Sequence, residues 1–239
     1  MKLGIITDIH NNLPALKTVL NRLRQLDCEW ILCCGDIIGI GPQPEQTVQT
    51  LLQLPNLIAV RGNHERYLLE GLPDTFPNAE QMDEAEAAHH RWEHSLLSPE
   101  SRDFLRQLPY RRDLELAGYR ISLLHYGMDR DARFLNIGRN PSAEDYQRLF
   151  SNVDSDLIFF GHQHTRSIHR ADKYYVNVGS LGCPGREKHI ARAGVVSLRP
   201  GRVEITSLDL EYDAGAVVRE IDRLHYPAAE EIKHIFYRV

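Results

Sequence analysis

The sequence has few cysteines, no excess of positive charge and no long apolar run. Its four cysteines, Cys28, Cys33, Cys34 and Cys183, contain no C-x-x-C pair, which argues against a disulfide framework. Lys and Arg total 28 against 33 Asp and Glu, a formal charge of -5, so no global field attracts nucleic acid or an anionic membrane. Without a bilayer-spanning run or a signal-peptide pattern, we expect a cytoplasmic protein that does not bind membranes.

The overall composition is that of a folded globular protein. Apolar residues make up 42% of the 239 residues and charged residues 26%, which excludes a collagen-like, low-complexity or disordered class. The length fits one or two domains. Because the sequence contains neither a fixed-period repeat nor a long Ser/Gly linker, we predict a single domain over residues 1–239.

Hydrophobic patterning in the first half predicts alternating strands and helices. Short apolar runs at 2–7, 30–34 and 57–60 are typical of buried strands. A leucine pattern that follows Asn12, a plausible N-cap, predicts a helix, and the charged run 79–97 has a largely helical composition. Successive strand-loop-helix units favour a sheet with parallel strands and right-handed crossovers.

Shorter segments in the second half favour a second sheet. Two strands are predicted within 114–124, around Gly118, and a buried strand at 157–160. The alternating segments that suggest the rest of this second sheet lie near 167–169, 174–176, 193–198 and 203–210. Two closing helices are predicted over 213–224 and from 227 to 237.

Polar side chains follow the predicted strands at the point where each strand ends. In open α/β sheets the carboxyl ends of neighbouring strands meet at one crevice, so five such ends predict one site. The four-residue motif at 62–65, G-N-H-E, is the piece least expected by chance. The residues at these strand ends are Asp8, His10, Asp36, Asn63, His64, Glu65, His125, His162 and His164.

These side chains offer imidazole nitrogens together with carboxylate and amide oxygens. That set suits Mn²⁺, Fe, Zn²⁺ or Co²⁺ better than Ca²⁺ or a cysteine-held structural zinc. Seven candidate ligands are too many for one ion, whereas two ions roughly 3.5 to 4 Å apart that share one carboxylate would use all of them. Such a pair of ions generates a hydroxide and stabilises the transition state of an in-line displacement. Substitution at phosphorus is the reaction that suits this arrangement.

Seven further histidines lie outside this set. His89, His90 and His94 fall in the charged helical run, and we interpret them as part of a solvent-exposed or lid face. No role is predicted for the other four, which are His169, His189, His225 and His234.

The ordered motifs resemble the signature of the calcineurin-like metallophosphoesterases, which reads D-x-H, G-D, G-N-H-[DE], a His before Gly, and G-H-x-H. All five blocks occur here in that order, and the stretches 35–42, 176–180 and 211–213 are similar to a small prokaryotic phosphodiesterase-like branch. The resemblance covers the whole chain. It implies an α/β fold in which two sheets form a β-sandwich flanked by helices, in four αββα layers.

The same resemblance divides the seven ligands between two divalent metal ions, with Mn²⁺ as the first choice and Fe, Zn²⁺, Co²⁺ or Ni²⁺ as alternatives. Asp36 would bridge the ions. Asn63 would lie at the substrate as well as at a metal, and His64 would contact the phosphate and protonate the leaving oxygen, a role that suits an imidazole. The first ion would be held by Asp8, His10, Asp36 and His164, and the second by Asp36, Asn63, His125 and His162. Glu65 would support these groups from outside the metal set.

Three departures from the family pattern bear on function. Protein Ser/Thr phosphatases of this superfamily carry G-D-x-V-D-R-G, whose Arg binds a monoester dianion, whereas residues 35–41 here read GDIIGIG, which argues against a protein phosphatase. Tyr126 separates His125 from the Gly that usually follows it, which makes His125 a less regular ligand. Asn11 stands where Gly is common, and we expect it to tune substrate access.

Arginines near the strand ends could clamp the phosphate, although a solvated surface Arg is the commoner case. The arginines concerned are Arg61, Arg130, Arg133, Arg139 and Arg166. The irregular segment 128–141, rich in Arg and Asp, is predicted to shape substrate access.

We therefore predict an enzyme, a dinuclear-metal-dependent phosphoesterase that hydrolyses a small phosphodiester or nucleotide-derived substrate through a metal-bridging hydroxide. The alternatives are a phosphomonoesterase acting on a small metabolite and a catalytically weak scaffold of the same fold. Retention of all seven candidate ligands and His64 argues against the scaffold.

Overall fold

The computed structural model describes residues 1–77, 82–129, 133–135, 137–138, 141–183, 187 and 189–238. The first half contains β1 (Lys2–Ile6), α1 (Leu13–Gln25), β2 (Trp30–Cys33), α2 (Pro44–Leu52), β3 (Leu57–Ala59), α3 (Asn63–Glu70), α4 (Glu84–Ser95) and α5 (Pro99–Gln107). The second half contains β4 (Arg111–Leu116), β5 (Tyr119–Leu124), α6 (Ala143–Leu149), β6 (Leu157–Phe159), β7 (Ser167–Arg170), β8 (Tyr174–Asn177), β9 (Ile190–Arg199), β10 (Arg202–Glu211), α7 (Ala214–Leu224) and α8 (Ala229–Ile232). A π-helical turn over Lys233–Tyr237 continues α8.

The described strands form two five-stranded sheets. The first sheet has the order β10-β9-β1-β2-β3 and the second the order β4-β5-β6-β8-β7. Strands β1, β2 and β3 are parallel, as predicted, and so are β5, β6 and β8. The predicted two-sheet sandwich is confirmed.

The assignment of strands to sheets was wrong at one place. Segments 193–198 and 203–210 were expected in the second sheet, but β9 pairs antiparallel with β1, and β10 pairs with β9. Both strands therefore extend the first sheet. An alternating pattern shows that a segment is a strand, but it carries no information about which distant strand will be its neighbour.

The sheets pack face to face, and helices cover their outer faces. Because successive side chains of a strand point to opposite faces, Leu3 and Ile5 of β1 lie between the sheets with Leu123 and Phe159 of the second sheet. Ile6 faces the other way, into the layer formed with α1 and α7. On the far side of the second sheet, the aromatic side chains of α6 and β8 form a separate buried cluster. The predicted four αββα layers are present.

Helix α1 begins where the sequence predicted and fixes the loop that precedes it. The side chain of Asn12 accepts a hydrogen bond from the backbone N–H of Ala15 at 3.1 Å, which satisfies one of the free donors at the helix start. Leu16 and Leu23 lie on the face buried against the first sheet. The loop 7–12 is thereby held at the carboxyl edge of that sheet.

The patterning missed the short helices α3, α5 and α6. Each spans only seven to nine residues, too few turns for a clear 3.6-residue period. Among the described residues, none of the helices is both long and apolar enough to cross a membrane.

Candidate active site

The loops that follow the strands are joined to one another by backbone hydrogen bonds. The N–H of Asp8, after β1, donates to the carbonyl of Gly35, after β2, at 3.0 Å. In the second sheet the N–H of Gly161 donates to the carbonyl of His125 at 2.8 Å. The link between the sheets comes from the N–H of His162, which donates to the Asp8 carboxylate at 3.0 Å. The strand ends of both sheets therefore form one rigid edge.

Left-handed backbone conformations are concentrated at this edge. Non-glycine residues pay a steric penalty at positive φ, and such strained residues tend to cluster at functional sites where the surrounding structure holds them. The strand-end residues with positive φ are Asp8 (52°), His10 (49°), Asn11 (54°), Asp36 (51°), His162 (73°) and His164 (55°). Several predicted site residues share this feature.

Four of the predicted ligands converge in one half of the site. His10 Nε2 lies 3.0 Å from His164 Nε2 and 3.9 Å from an oxygen of each of Asp8 and Asp36. His164 Nε2 lies 3.6 Å from Asp8 Oδ1. Two imidazole nitrogens and two carboxylates facing one another form a typical metal-ligand set.

The other half of the site shares Asp36 with the first. His125 Nε2 lies 3.2 Å from Asp36 Oδ2 and 3.2 Å from Asn63 Oδ1. His162 Nδ1 lies 3.1 Å from the same Asn63 oxygen. The Asp36 Oδ2 atom therefore lies between the two groups of donors, and all seven predicted ligands are brought together.

Charge and burial at this site fit cations. Burial alone would raise the pKa of Asp36, but the imidazoles of His125 and His64 lower it well below its usual value. Burial and the neighbouring imidazoles lower the pKa of His10, which leaves that ring neutral and able to coordinate. Desolvation alone would lower the pKa of His125, but the carboxylate of Asp36 raises it to about 9.

Backbone carbonyls orient two of the imidazoles. His125 Nδ1 contacts the Cys34 carbonyl at 2.8 Å, and His10 Nδ1 contacts the Ile38 carbonyl at 3.2 Å. A carbonyl only accepts, so each Nδ1 carries a proton; Nε2 of the neutral His10 presents its lone pair to the site, and Nε2 of His125 would do so once a metal ion displaces its proton. Outer contacts of this type are common around metal ligands.

Glu65 holds the Asp36 loop from behind. Its carboxylate accepts the backbone N–H groups of Gly62 at 2.7 Å, Asp36 at 3.0 Å and Ile37 at 2.8 Å. Burial raises the pKa of Glu65 to about 7. Gly62 is required beside this loop because a Cβ there would lie 2.1 Å from Asp36 Oδ1. Glu65 thus supports the site from outside the ligand set.

His64 lies beside the shared carboxylate at the start of α3. Its backbone N–H donates to Asp36 Oδ1 at 3.1 Å, and its Nε2 lies 3.9 Å from Asp36 Oδ2, too far for a hydrogen bond. Burial lowers the pKa of His64 to about 4. The ring is therefore positioned next to the site without being paired to it.

Cys183 is a neighbour of the site that strand-end reasoning missed. Its sulfur lies within 4.8 Å of nitrogen atoms of His10 and His164. Burial raises the pKa of its thiol well above the usual value. Cys183 lies after β8 in a loop held by hydrogen bonds from Leu181 and Gly182 to the backbone of residues 7 and 8, and no motif in the sequence indicates this contact.

The prediction of a solvent-exposed histidine face on α4 was wrong. His89 and His90 are buried, and His90 Nδ1 lies 2.7 Å from Oε1 of the equally buried Glu93. The same carboxylate accepts the Asn11 side chain at 2.6 Å and the Gly39 N–H at 2.8 Å. Mutual pairing of these charges permits their burial. The spacing H-x-x-E-H at 90–94 was the available signal, because it places an acid and two imidazoles close together on one helix.

Asn11, Arg61 and Arg166 also differ from expectation. Asn11 is buried against Glu93, so it holds a loop and does not border the path of the substrate. Arg61 donates to the carbonyls of residues 106 and 108, and Arg166 pairs with Asp209, so both are engaged in the structure. The backbone N–H of Arg133 donates to Asp129 at 2.9 Å. Arg130, Arg139 and part of segment 128–141 lie outside the described residues.

Comparisons with known proteins find relatives of this chain. The uncharacterized protein MJ0912 of Methanocaldococcus jannaschii is 26% identical over 248 residues, which cover 94% of this chain and 93% of that protein. Phosphodiesterase YfcE of Escherichia coli K12 is 35% identical over 72 residues, which cover 26% of this chain and 39% of YfcE. A metallophosphoesterase from Sphaerobacter thermophilus has the same fold, with a TM-score of 0.74 and 23% identity over 100% of this chain and 98% of that one.

The family itself is shown by a match over most of the chain. The sequence profile of the calcineurin-like phosphoesterase superfamily domain matches residues 1–200. That span includes every strand end described above. The chain therefore belongs to the calcineurin-like phosphoesterase superfamily.

Proposed function

We propose that the protein is a dinuclear metallophosphoesterase that hydrolyses a small phosphodiester. The observation that carries the proposal is the position of Asp36 Oδ2, which lies 3.2 Å from His125 Nε2 on one side and 3.9 Å from His10 Nε2 on the other. One carboxylate between two groups of nitrogen and oxygen donors is the arrangement that two neighbouring divalent ions need. Mn²⁺ is the first candidate, because carboxylate and amide oxygens accompany the imidazoles.

The protein residues divide the work of such a reaction. Asp8, His10, Asp36 and His164 would hold one ion, and Asp36, Asn63, His125 and His162 the other. Two bound divalent ions supply Lewis-acid activation of the phosphoryl group and of water. Asn63 would contact the phosphate as well as the second ion, and the position of its Oδ1 between His125 and His162 supports its role at that ion.

His64 is the proposed general acid. Its ring lies against His10, with 4.8 Å between ring centroids, and its Nε2 is directed to the same carboxylate that the ions would share. A proton on Nε2 would be donated to the leaving oxygen of the ester. Because burial lowers the pKa of His64 to about 4, the ring would gain this proton only when the negative phosphoryl group is bound beside it.

A diester is favoured over a monoester by charge. A monoester dianion needs additional cationic contacts, whereas Arg61 and Arg166 are already bound to other parts of the protein. The partial match to a protein named as a phosphodiesterase supports the same preference. The substrate class we propose is a small diester, such as a cyclic nucleotide or another nucleotide-derived ester.

Rates on bis-p-nitrophenyl phosphate and p-nitrophenyl phosphate test this function. Chelator-treated protein should be inactive, and added Mn²⁺ should restore cleavage of the diester in preference to the monoester. The variant Asp36→Asn should stay inactive with Mn²⁺, whereas Asp154→Asn, which changes an exposed carboxylate, should behave as wild type. Preference for the monoester would support the phosphomonoesterase alternative, and no metal-dependent rate on either ester would overturn the proposal.

A further inference from the structure

A second group of metal-ligating side chains lies behind His64, away from the shared carboxylate. A half-open cavity of about 200 Å³ lies between α4 and the C-terminal segment. Its lining includes His64, Glu86 and His90, together with the apolar side chains of Ile232 and Phe236. Polar atoms buried in its wall require partners.

Two imidazole nitrogens at this cavity lack such partners. His64 Nδ1 and His90 Nε2 are buried, and neither has a hydrogen-bond partner in the described part of the chain. The ring of His90 is oriented by Glu93, whose Oε1 lies 2.7 Å from Nδ1. The Glu93 carboxylate also accepts from Asn11 and Gly39, so three hydrogen bonds hold it in place. A carboxylate on one nitrogen and a free second nitrogen is the arrangement of many metal-binding histidines.

Two spacings in this cluster are those expected of ligands on one ion. Glu86 Oε1 lies 3.8 Å from His90 Nε2, which is too far for a hydrogen bond. Two tetrahedral ligands that each lie about 2.1 Å from a zinc ion are about 3.4 Å apart, which is close to this distance. The rings of His64 and His90 have centroids 5.0 Å apart. Two imidazoles on one tetrahedral ion have centroids about 5 Å apart by the same bond lengths.

We propose that this cavity binds a third divalent ion, of the zinc class, through His90 Nε2, the Glu86 carboxylate and His64 Nδ1. Two imidazoles and one carboxylate form a common zinc-ligand set that leaves a further position open. The site is distinct from the dinuclear centre, because it uses the opposite nitrogen of His64 and two residues of α4.

The ion would set the proton position on the proposed acid, a consequence that rests on the proposed function. A ligated Nδ1 leaves the ring proton on Nε2, and Nε2 is the atom 3.9 Å from Asp36 Oδ2. His64 would then present the N–H of Nε2 to the leaving oxygen. Ion binding itself needs no catalysis and can be measured separately.

Counting bound Zn²⁺ on the chelator-treated full-length chain tests the site. Equilibrium dialysis followed by elemental analysis should find three ions per wild-type chain. The variants Glu86→Gln and His90→Gln should each lower the affinity for one of these ions at least tenfold. Loss of a direct ligand should cost at least as much affinity as loss of an outer-sphere partner does. The control Glu84→Gln changes a carboxylate of α4 that is 72% exposed and pairs with Arg91, and it should still bind three.

A further variant separates this inference from the proposed function. Asp36→Asn should reduce metal binding at the dinuclear centre. The affinity for the third ion, which depends on Glu86, should stay unchanged in this variant. An ion that depends on Glu86 would support the third site even if no dinuclear binding were found. If wild type binds no more ions than Glu86→Gln, with equal affinities, a proton occupies His90 Nε2 and the proposal is wrong. Because Glu86 is partly exposed, this variant stays informative even if His90→Gln does not fold.

Discussion

His125 Nε2 lies 3.2 Å from Asp36 Oδ2, although the two residues follow strands in different sheets. Asp36 follows β2 of the first sheet, and His125 follows β5 of the second. The contact is maintained by His125 Nδ1, which lies 2.8 Å from the carbonyl of Cys34, also next to β2. The proposed dinuclear centre therefore depends on the packing of one sheet against the other.

Removing His125 should empty one half of that centre. We expect His125→Ala to lose one bound ion. Its diesterase activity should fall further than the about 10- to 100-fold decrease that follows the loss of an outer-sphere partner. His169, on β7, lies in another part of the second sheet and contacts Ser167, so His169→Gln serves as the control. Elemental analysis and initial rates decide the outcome, and unchanged metal content in His125→Ala would show that His125 is not a ligand.

His64 should matter most for poor leaving groups. A general acid contributes about 10²- to 10⁴-fold, and an alkoxide needs the proton far more than a nitrophenolate does. We expect His64→Gln to reduce kcat strongly on alkyl diesters and weakly on p-nitrophenyl diesters. The dependence of the rate on the leaving-group pKa should steepen in the variant, whereas an equal loss across the series would argue against an acid role.

A methyl group added at Gly161 should disturb the metal site, because Gly161 packs against the proposed ligand Asp8. A Cβ there would lie 1.9 Å from Thr7 Oγ1 and 2.6 Å from Asp8 Oδ2, and both residues are fully buried. We expect Gly161→Ala to lower the free energy of unfolding by about 1–3 kcal/mol through overpacking and to weaken metal binding through Asp8.

The control for that substitution is Gly215→Ala. Gly215 lies in the first turn of α7, where the nearest atoms to a new Cβ belong to the side chains of Arg219 and Asp213 at 3.0 and 3.2 Å. This substitution should be neutral or stabilise the protein by up to about 1 kcal/mol. Urea unfolding of both variants, with and without Mn²⁺, gives the comparison, and equal behaviour would contradict the close approach at Gly161.

The His90 contact with Glu93 should make stability depend on pH above neutrality. Burial alone would lower the pKa of His90, but the carboxylates of Glu86 and Glu93 raise it to about 9 from 6.5 in the unfolded chain. The metal-free native protein then holds one more proton than the unfolded chain between these values, and an ion bound at His90 Nε2 would displace that proton. The stabilisation is complete below pH 6.5 and is lost as the pH rises through 9, by at most about 1.4 kcal/mol per pH unit.

Comparison with His90→Gln isolates this effect in metal-free protein. The difference in the free energy of unfolding between wild type and the variant should shrink from pH 6.5 to pH 9 and stay constant below pH 6.5. His169→Gln should follow wild type over the whole range. A difference that does not change with pH would mean that His90 is neutral in the folded protein.

Local patterns predicted much of the fold and the centre of the site. The Asn12 cap, the parallel strands β1 to β3 and the closing helix α7 follow from short-range signals, and polar residues at the strand ends did converge. The errors concern long-range partners. β9 joined the first sheet through β1, and His89 and His90 became buried against other elements, with Glu93 beside them.

The sequence by itself determined the chemistry that this chain can offer, because residue type and strand-end position decide which imidazoles and carboxylates meet at one edge. Only the tertiary structure decided which atoms face one another. Asp36 Oδ2 lies between His10 and His125, and Cys183 reaches His10, because the sheets pack face to face and their loops interlock. The burial of His90 and Glu93 was also a tertiary outcome, since two charged groups leave water only when another part of the chain places their partners beside them.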